Sequence, residues 1–363
     1  IHLFCISADG DFDVASNKAK GKTTLLINNA IHPGEPCGVD ASIKLANDLL
    51  TNKRYADLIK TTVVYIIPFY NVGGGLNRSC CSRANQNGPE EYGFRGNTKN
   101  RDLNRDFIKC DTWNAKTFTK IYHSIDPDVF VDTHTTNGAD FQYTMSLIAT
   151  QPDKLQRYLR NYLRHGALPF IYADMKEKEM EIIPYVYLYK NTPEKGIMDY
   201  LETPRYSTGY TTLFNTLGFV TEALKYKPYQ DRVEHTYAYL MTTLKWMKEH
   251  QSKILITRNQ AIEAVMKQPT FELGWYHDTT AFRPIDFKGY EVEELPSKFG
   301  KNATKKVYNH DKPYTKKINY YNRYTSTYVV DRPLSYVIPQ SYDQVIDRLK
   351  WNNIEMKRLK ADT

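Results

Sequence analysis

The chain has no apolar run approaching the roughly 18–20 residues needed to span a bilayer. The longest candidate, Thr62 to Phe69, reads as a strand buried on both faces. It also has no C-x-x-C pair. Its five cysteines, Cys5, Cys37, Cys80, Cys81 and Cys110, therefore suggest neither a zinc ribbon nor a dithiol redox motif, and an odd count leaves at least one thiol free or paired elsewhere. No internal repeat, low-complexity segment or nucleic-acid motif is evident, so a nucleic-acid partner is not expected.

What is there is ordinary for a soluble globular protein: 363 residues, 41% hydrophobic and 25% charged. That length supports a large core and more than one domain. The net charge is +8, and residues 301–363 hold 13 Lys/Arg against 6 Asp/Glu, so nearly all of the surplus lies there. A solvated lysine-rich surface is the simple reading; an anionic polymer partner is the functional one. The chain opens on Ile1 and enters a strand-like run, His2 to Ser7, at once. We expect that a natural N-terminus, with any export signal, has been removed, and an extracytoplasmic location accordingly.

The first 250 residues alternate strand and helix signals. Thr24–Ala30, Thr62–Phe69, Asp128–Thr133 and Thr216–Thr221 are strand-like; Cys37–Leu50, Thr112–Tyr122, Leu155–Leu168 and Tyr229–His250 are helical. Residues 71–104, rich in Gly, Asn and Arg, form a long irregular segment of the kind that usually carries function. The pattern predicts an α/β domain with a mixed, mostly parallel sheet flanked by helices. Past a helix ending at Lys267 and Pro269 the texture changes to short tyrosine-rich strands at Gly289–Glu293, Lys305–Asn309, Tyr320–Tyr324 and Thr327–Val330. A helix Tyr342–Trp351 and a last strand near Ile354–Leu359 complete it. We therefore expect a catalytic domain over residues 1–255 and a smaller β-rich accessory domain over 256–363.

The strongest local signal is Asn29-Ala30-Ile31-His32-Pro33-Gly34-Glu35. A His and a Glu three residues apart, just after a strand and at the turn into a helix, can converge on one point. Imidazole and carboxylate suit zinc, and a catalytic zinc keeps a position free for water. Alone, H-x-x-E is weak, because a helix-capping Glu beside a surface His looks the same. His134, at the end of the run Val131-Asp132-Thr133-His134, strengthens it. Ligands in open α/β sheets gather outside the carboxyl ends of the strands, where both histidines fall. Asp102 and Asp132 are candidates to hold the outer nitrogens of those rings.

The stretch from Gly93 to Phe107 carries Arg95, Arg101 and Arg105, and arginine forks suit a substrate carboxylate. Glu222 ends the apolar strand Gly218-Phe219-Val220-Thr221. A carboxylate there suits a general base toward a metal-activated water, against the simpler reading of a helix-start Glu.

Together these residues resemble the zinc carboxypeptidases, the carboxypeptidase A-like metallopeptidases, over roughly residues 20–250. The resemblance implies zinc as cofactor, held by His32, Glu35 and His134, with Glu222 as the catalytic carboxylate. It matches the family's Asp-x-Asn-Arg element to Asp102-Leu103-Asn104-Arg105, where the Asp supports the first zinc His and Asn104 and Arg105 bind the substrate's terminal carboxylate. It implies an upstream arginine that polarises the scissile carbonyl: Arg95 by its spacing to Asn104, with Arg83 as runner-up. Tyr206 and Tyr210 are the candidates for the family's substrate-binding tyrosine. The family's usual Asn-Pro-Asp-Gly appears as Asn71-Val72-Gly73-Gly74. The implied function is a metallocarboxypeptidase acting on peptides with a free carboxylate. The alternatives are a zinc amidohydrolase that removes acyl groups from N-acyl amino acids, and a catalytically inactive binding protein on the same scaffold.

Overall fold

Uninterrupted apolar, β-branched and aromatic runs form the centre of the molecule. A computed structural model describes residues 1–83, 86–136, 140–300 and 303–360. The first six strands are β1 (Phe4–Ile6), β2 (Thr23–Asn28), β3 (Thr62–Ile67), β4 (Val129–Thr136), β5 (Met145–Ala149) and β6 (Ile183–Pro184). Two short strands, β7 (Tyr187–Leu188) and β8 (Ile197–Met198), precede β9 (Leu217–Leu224). The central seven-stranded sheet has the order β1-β3-β2-β4-β9-β5-β6. The run β3-β2-β4-β9 is parallel, and β1 and β5 are antiparallel to their neighbours β3 and β9. Every residue of β2, β3 and β4 is buried, which is why they read as continuous apolar runs.

Helices cover both faces. They are α1 (Val14–Ala19), α2 (Cys37–Thr51), α3 (Val72–Leu76), α4 (Trp113–Ile125), α5 (Arg157–Tyr162), α6 (Leu168–Glu177), α7 (Ser207–Thr212), α8 (Tyr229–Glu249) and α9 (Gln251–Lys267). Strand alternation sorts the core in two. Leu25, Ile27, Val64, Ile66, Val129 and Val131 pack with Leu45 of α2, Ile171 of α6 and Trp246 of α8. Leu26, Val63, Tyr65, Ile67 and Phe130 pack with Phe118, Tyr122 and Ile125 of α4. The helix expected over Leu155–Leu168 is broken into α5, a π-helical turn Leu163–Ala167 and α6. Gly166 lies in that turn, where a Cβ would come within 2.8 Å of the Tyr162 ring.

A division after residue 255 would cut α9, whose Ile254 and Ala261 are buried in the first core. The change of texture begins at β10 (Thr270–His277), followed by β11 (Arg283–Pro296), β12 (Thr304–Tyr321), β13 (Tyr324–Asp331) and α10 (Asp343–Trp351). The short strands expected at 289–293 and 305–309 are parts of the long β11–β12 hairpin, whose register shifts between Tyr290 and Glu291. β12 also pairs with β8, so the C-terminal region shares the sheet β11-β12-β8-β7 with the preceding part of the chain. Phe287, Ile318 and Tyr320 bury against Phe141, Tyr143 and Leu224. The strand expected at 354–359 is not formed: those residues are exposed and have no strand partner. Cys80 and Cys81 are joined as a disulfide, and Cys5, Cys37 and Cys110 are free. Among the described residues, no helix is long and apolar enough to cross a membrane.

Candidate metal centre and active site

The ligand turn is built from the end of β2. Ala30 is left-handed (φ 55°), a conformation that costs a residue with a Cβ roughly 1–2 kcal/mol and needs its neighbours to hold it. Asn71, the first residue of Asn71-Val72-Gly73-Gly74, does so: its N–H donates to Ala30 O at 3.1 Å and its side-chain amide to Ile31 O at 3.2 Å. The turn then closes with Glu35 N donating to His32 O at 2.9 Å. At Gly38 a Cβ would stand 1.9 Å from Thr133 Oγ1, so only glycine lets α2 approach β4 this closely. That approach carries Glu35 to the end of β4, where Thr135 N donates to Glu35 Oε2 at 2.8 Å.

His32, Glu35 and His134 converge. They are no more than 3% exposed, and one ligand atom of each lies within 4.8 Å of the others. His32 Nδ1 is 3.1 Å from Glu35 Oε1 and His134 Nδ1 is 3.0 Å from Glu35 Oε2. The opposite nitrogens are also held: His32 Nε2 meets Asp102 Oδ1 at 2.9 Å, and His134 Nε2 meets Asp132 Oδ2 at 3.1 Å. Each ring thus turns one nitrogen inward and is fixed from behind by a carboxylate. Burial alone would lower the His134 pKa, but Asp132 and Glu35 outweigh it and hold it well above the ordinary value. Burial would raise the Glu35 carboxyl, but Arg83, His32 and His134 hold it well below the carboxylate range. Two imidazoles and a carboxylate, buried, convergent and supported from behind, fit a divalent zinc.

Both candidate arginines reach this cluster. Arg83, whose side chain is 11% exposed, donates through Nη1 to Glu35 Oε1 and through Nη2 to Thr135 O at 2.6 Å. Arg95, 41% exposed, donates to Asp102 Oδ2 at 2.9 Å and lies 3.7 Å from Glu35 Oε1. They share a cavity of about 310 Å³ with His32, Gly34, Ser82, Gly93 and Lys225. Its lining is strongly basic, a match for anionic groups. Spacing to Asn104 singles out Arg95 and gives no hint of Lys225, although Lys225 lies only three residues past Glu222, just beyond the end of β9.

Glu222 lies on β9 directly across the parallel ladder from His134. Partners in register share a face of the sheet, so both side chains project to the same side. Burial pushes the Glu222 carboxyl up to about 7; His134 draws it down and Glu35 pushes it further up. A carboxyl of that kind is poised to exchange a proton near neutrality.

The Asp102-Leu103-Asn104-Arg105 element forms a 3₁₀ turn capped by Asp102, which accepts from Asn104 N at 3.0 Å. The Asn104 carboxamide oxygen is buried without a partner. Arg105 stacks on the Tyr206 ring at 4.2 Å, and Tyr200 packs edge-on against Tyr206 at 5.7 Å. Tyr206 is therefore beside Arg105, together with Tyr200, to which no sequence motif points. Tyr210 is not. It is fully buried in the aromatic core with Phe107, Phe118 and Tyr122, and its hydroxyl is bonded to Asn352 Oδ1 at 2.8 Å and to His123 Nε2 at 2.9 Å. We correct its assignment: Tyr206 is the extended residue that precedes α7, whereas Tyr210 lies within α7, whose residues from Ser207 to Thr211 are all buried.

The family model described as zinc carboxypeptidase matches residues 2–239. That is more than half of the chain, and the chain belongs to this family. Its fold is similar to that of a metallo-carboxypeptidase from Pseudomonas aeruginosa solved in complex with (2-guanidinoethylmercapto)succinic acid, at 13% identity over 70% of this chain and 61% of that one, TM-score 0.50. A metallo-carboxypeptidase from Burkholderia cenocepacia matches at 15% identity, 68% and 60% coverage and TM-score 0.48. The tripeptide-bound cell shape determinant Csd4 from Helicobacter pylori matches at 14%, over 88% of this chain and 76% of that one, TM-score 0.45. The chain spans about three fifths of the length of the two metallo-carboxypeptidases. No curated protein matches it significantly.

Proposed function

We propose that this chain is a metallocarboxypeptidase that releases C-terminal residues from peptides, with zinc held by His32, Glu35 and His134. The observation that carries the reading is the convergence of those three buried side chains with Glu222 in register beside them. When bound there, zinc supplies a lowered pKa for water and a Lewis acid for the scissile carbonyl.

The chain's own residues have the following roles. Asp102 and Asp132 fix the imidazoles from behind. Glu222 accepts a proton from the attacking water and returns it to the leaving amine, for which a carboxyl near 7 is suited. Arg95 and Arg83 stand in the cavity as donors to the developing oxyanion, each such donor being worth about 3 kcal/mol. Asn104 and Arg105 hold the substrate's terminal carboxylate, with Tyr206 bracing Arg105. We also place the protein outside the cytoplasm, in keeping with the joined Cys80–Cys81 pair.

The test is release of amino acids from a library of C-terminal residues, with and without chelator, set beside cleavage of N-acyl amino acids. Chelator-sensitive release from peptides is expected. Cleavage of N-acyl amino acids alone identifies the amidohydrolase instead. Absence of any turnover in a zinc-loaded protein identifies the inactive scaffold.

A further inference from the structure

We propose that the cleft between α5, with its π-helical turn, and α9 is a second ligand site, remote from the metal centre, which takes a small anion carried on a flat ring, an aromatic phosphate or carboxylate.

Residues on one face of a helix recur every three or four positions. His250, Lys253, Thr257 and Gln260 keep that spacing along α9. Tyr158, Tyr162 and Gly166 keep it along α5 and the π-helical turn, with Asn161 and His165 beside them. In a packed helix pair such facing stripes are apolar and interlock. Here they are polar and leave a cavity of about 590 Å³ between them. α9 is docked by a different stripe: Ile254 and Ala261 enter the first core, and Arg258 pairs with Asp128 at 3.1 Å. The polar stripe is therefore not what holds the helix in place.

The π-helical turn shapes the cavity, and such turns are frequent at functional positions. Gly166 leaves room there for the Tyr162 ring, which a Cβ would meet at 2.8 Å. That ring lies against Trp246, with centroids 6.2 Å apart, and lines the cavity. Tyr162 is only 8% exposed, and its hydroxyl is buried with no hydrogen-bond partner. Trp246 Nε1, the polar group that acts on it, also lacks a partner. Burial pushes the Tyr162 hydroxyl up to about 12, so it keeps its proton and has one to donate. A buried hydroxyl left unbonded is costly unless a ligand completes it.

The charge around the cavity is of one sign. No Asp or Glu lines it. Lys253 and His165 are exposed there, and among the described residues neither enters an ion pair or a hydrogen bond. His250 donates through Nδ1 to Trp246 O at 3.1 Å, which leaves Nε2 for a ligand, and Phe170 sets its ring edge-on at 5.2 Å. α9 starts without a side-chain cap, so the N–H groups of its first turn add partial positive charge at that end. These groups suit an anion. The rings of Tyr162 and His250 suit a flat body behind it, and the Asn161 and Gln260 amides suit polar groups on its edge.

This place is separate from the metal centre. Gln251 Nε2 donates to Gly21 O at 2.6 Å, just before β2 begins, whereas His32 and Glu35 lie past the other end of β2. The two cavities share no lining residue.

Titration calorimetry on the zinc-loaded full chain tests the proposal. AMP supplies a ring with a phosphate, and indole-3-carboxylate a ring with a carboxylate. Adenosine and indole supply the rings alone, and inorganic phosphate the anion alone. At least one of the two ring-bearing anions is expected to bind with Kd below about 1 mM, at least about tenfold more tightly than its ring alone or phosphate alone. Which of the two binds identifies the anionic group. Lys253→Ala, at an exposed position, should weaken that binding about 10–100-fold, and Tyr162→Phe, which keeps the ring, about 3–10-fold. Arg95→Ala, in the metal cavity, should leave it unchanged. No binding of either ring-bearing anion overturns the proposal, and so does phosphate alone binding as tightly as AMP. A Kd unchanged by Lys253→Ala but raised by Arg95→Ala puts the anion in the metal cavity and overturns it as well.

Discussion

Replacing Asp132 with asparagine removes one charge from behind the metal centre and leaves its shape intact. Asp132 is fully buried; its oxygens meet His134 Nε2 at 3.1 Å and Asn28 Nδ2 at 3.1 Å. The new amide keeps an oxygen for His134. Its NH₂ faces Asn28, whose own amide can turn, because Asn28 Oδ1 has no other partner to lose. The change therefore isolates the charge. A carboxylate behind a ligating histidine is worth about 10–100-fold in metal affinity. We expect zinc affinity to fall about tenfold in Asp132→Asn and about 100-fold in Asp132→Ala, which strands the ring N–H in a sealed site. Competition with a chromophoric chelator measures both. The sign with pH follows from His134. Its pKa in the metal-free protein is held well above 6.5 by Asp132 and Glu35 against burial, so at neutral pH zinc must displace a proton there. Affinity should rise with pH, and less steeply in Asp132→Asn. The same raised pKa stabilises the metal-free fold below about 6.5, and that contribution is lost as pH climbs through the raised value. Affinities of both variants within twofold of the unsubstituted protein would refute the reasoning.

Glu222→Gln should cost about 10²–10⁴ in kcat while zinc stays bound, measured by steady-state kinetics and metal analysis; near-full activity assigns the base elsewhere. Because Glu222 must be ionised to take a proton, kcat/KM should rise with pH through its pKa. That pKa is about 7 in the metal-free protein and is drawn lower by a bound cation. Arg105→Ala removes the guanidinium stacked at 4.2 Å on Tyr206, and KM should rise about 10–100-fold with kcat less affected. Arg105→Lys should recover only part of it, lacking the fork. Gly38→Ala drives a methyl to within 1.9 Å of Thr133 Oγ1 and should destabilise the fold by about 1–3 kcal/mol, read as a lowered Tm, with weaker zinc binding as Glu35 shifts.

The legible parts of the fold are those in which burial leaves a one-dimensional trace. β2, β3 and β4 are covered on both faces, so their apolar runs mark them, and the helix expected from Cys37 does begin at Cys37. His134 and Glu222 stand out because each lies near the carboxyl end of an apolar strand, and His32 and Glu35 because they share the turn between β2 and α2. The long hairpin reads as short strands because its lysines and glutamates hide the alternation. Its register also shifts at Tyr290 and Glu291, with residues 310–312 left over on β12. Tyr210 escapes correct assignment because the segment Ser207-Thr208-Gly209-Tyr210-Thr211-Thr212 has no apolar face to announce its burial, and the Asn352 that receives its hydroxyl is 142 residues away. Arg83 and Arg95 can be ranked in the sequence only by spacing. The bridge between Ser79 and Tyr92, which helps fold Arg83 back onto Glu35, joins two polar stretches that carry no strand signal.

X-ray absorption at the zinc edge of the reconstituted protein, with zinc stoichiometry, bears most directly on whether His32, Glu35 and His134 meet around one cation. The expected result is one zinc per chain, two imidazole nitrogens and carboxylate oxygen at about 2.0–2.2 Å, no sulfur, and loss of that zinc in His134→Ala. Cys37, whose sulfur lies 3.5 Å from Thr135 Oγ1, is the nearby alternative donor. A sulfur shell at about 2.3 Å, or a stoichiometry unchanged in His134→Ala, would contradict it.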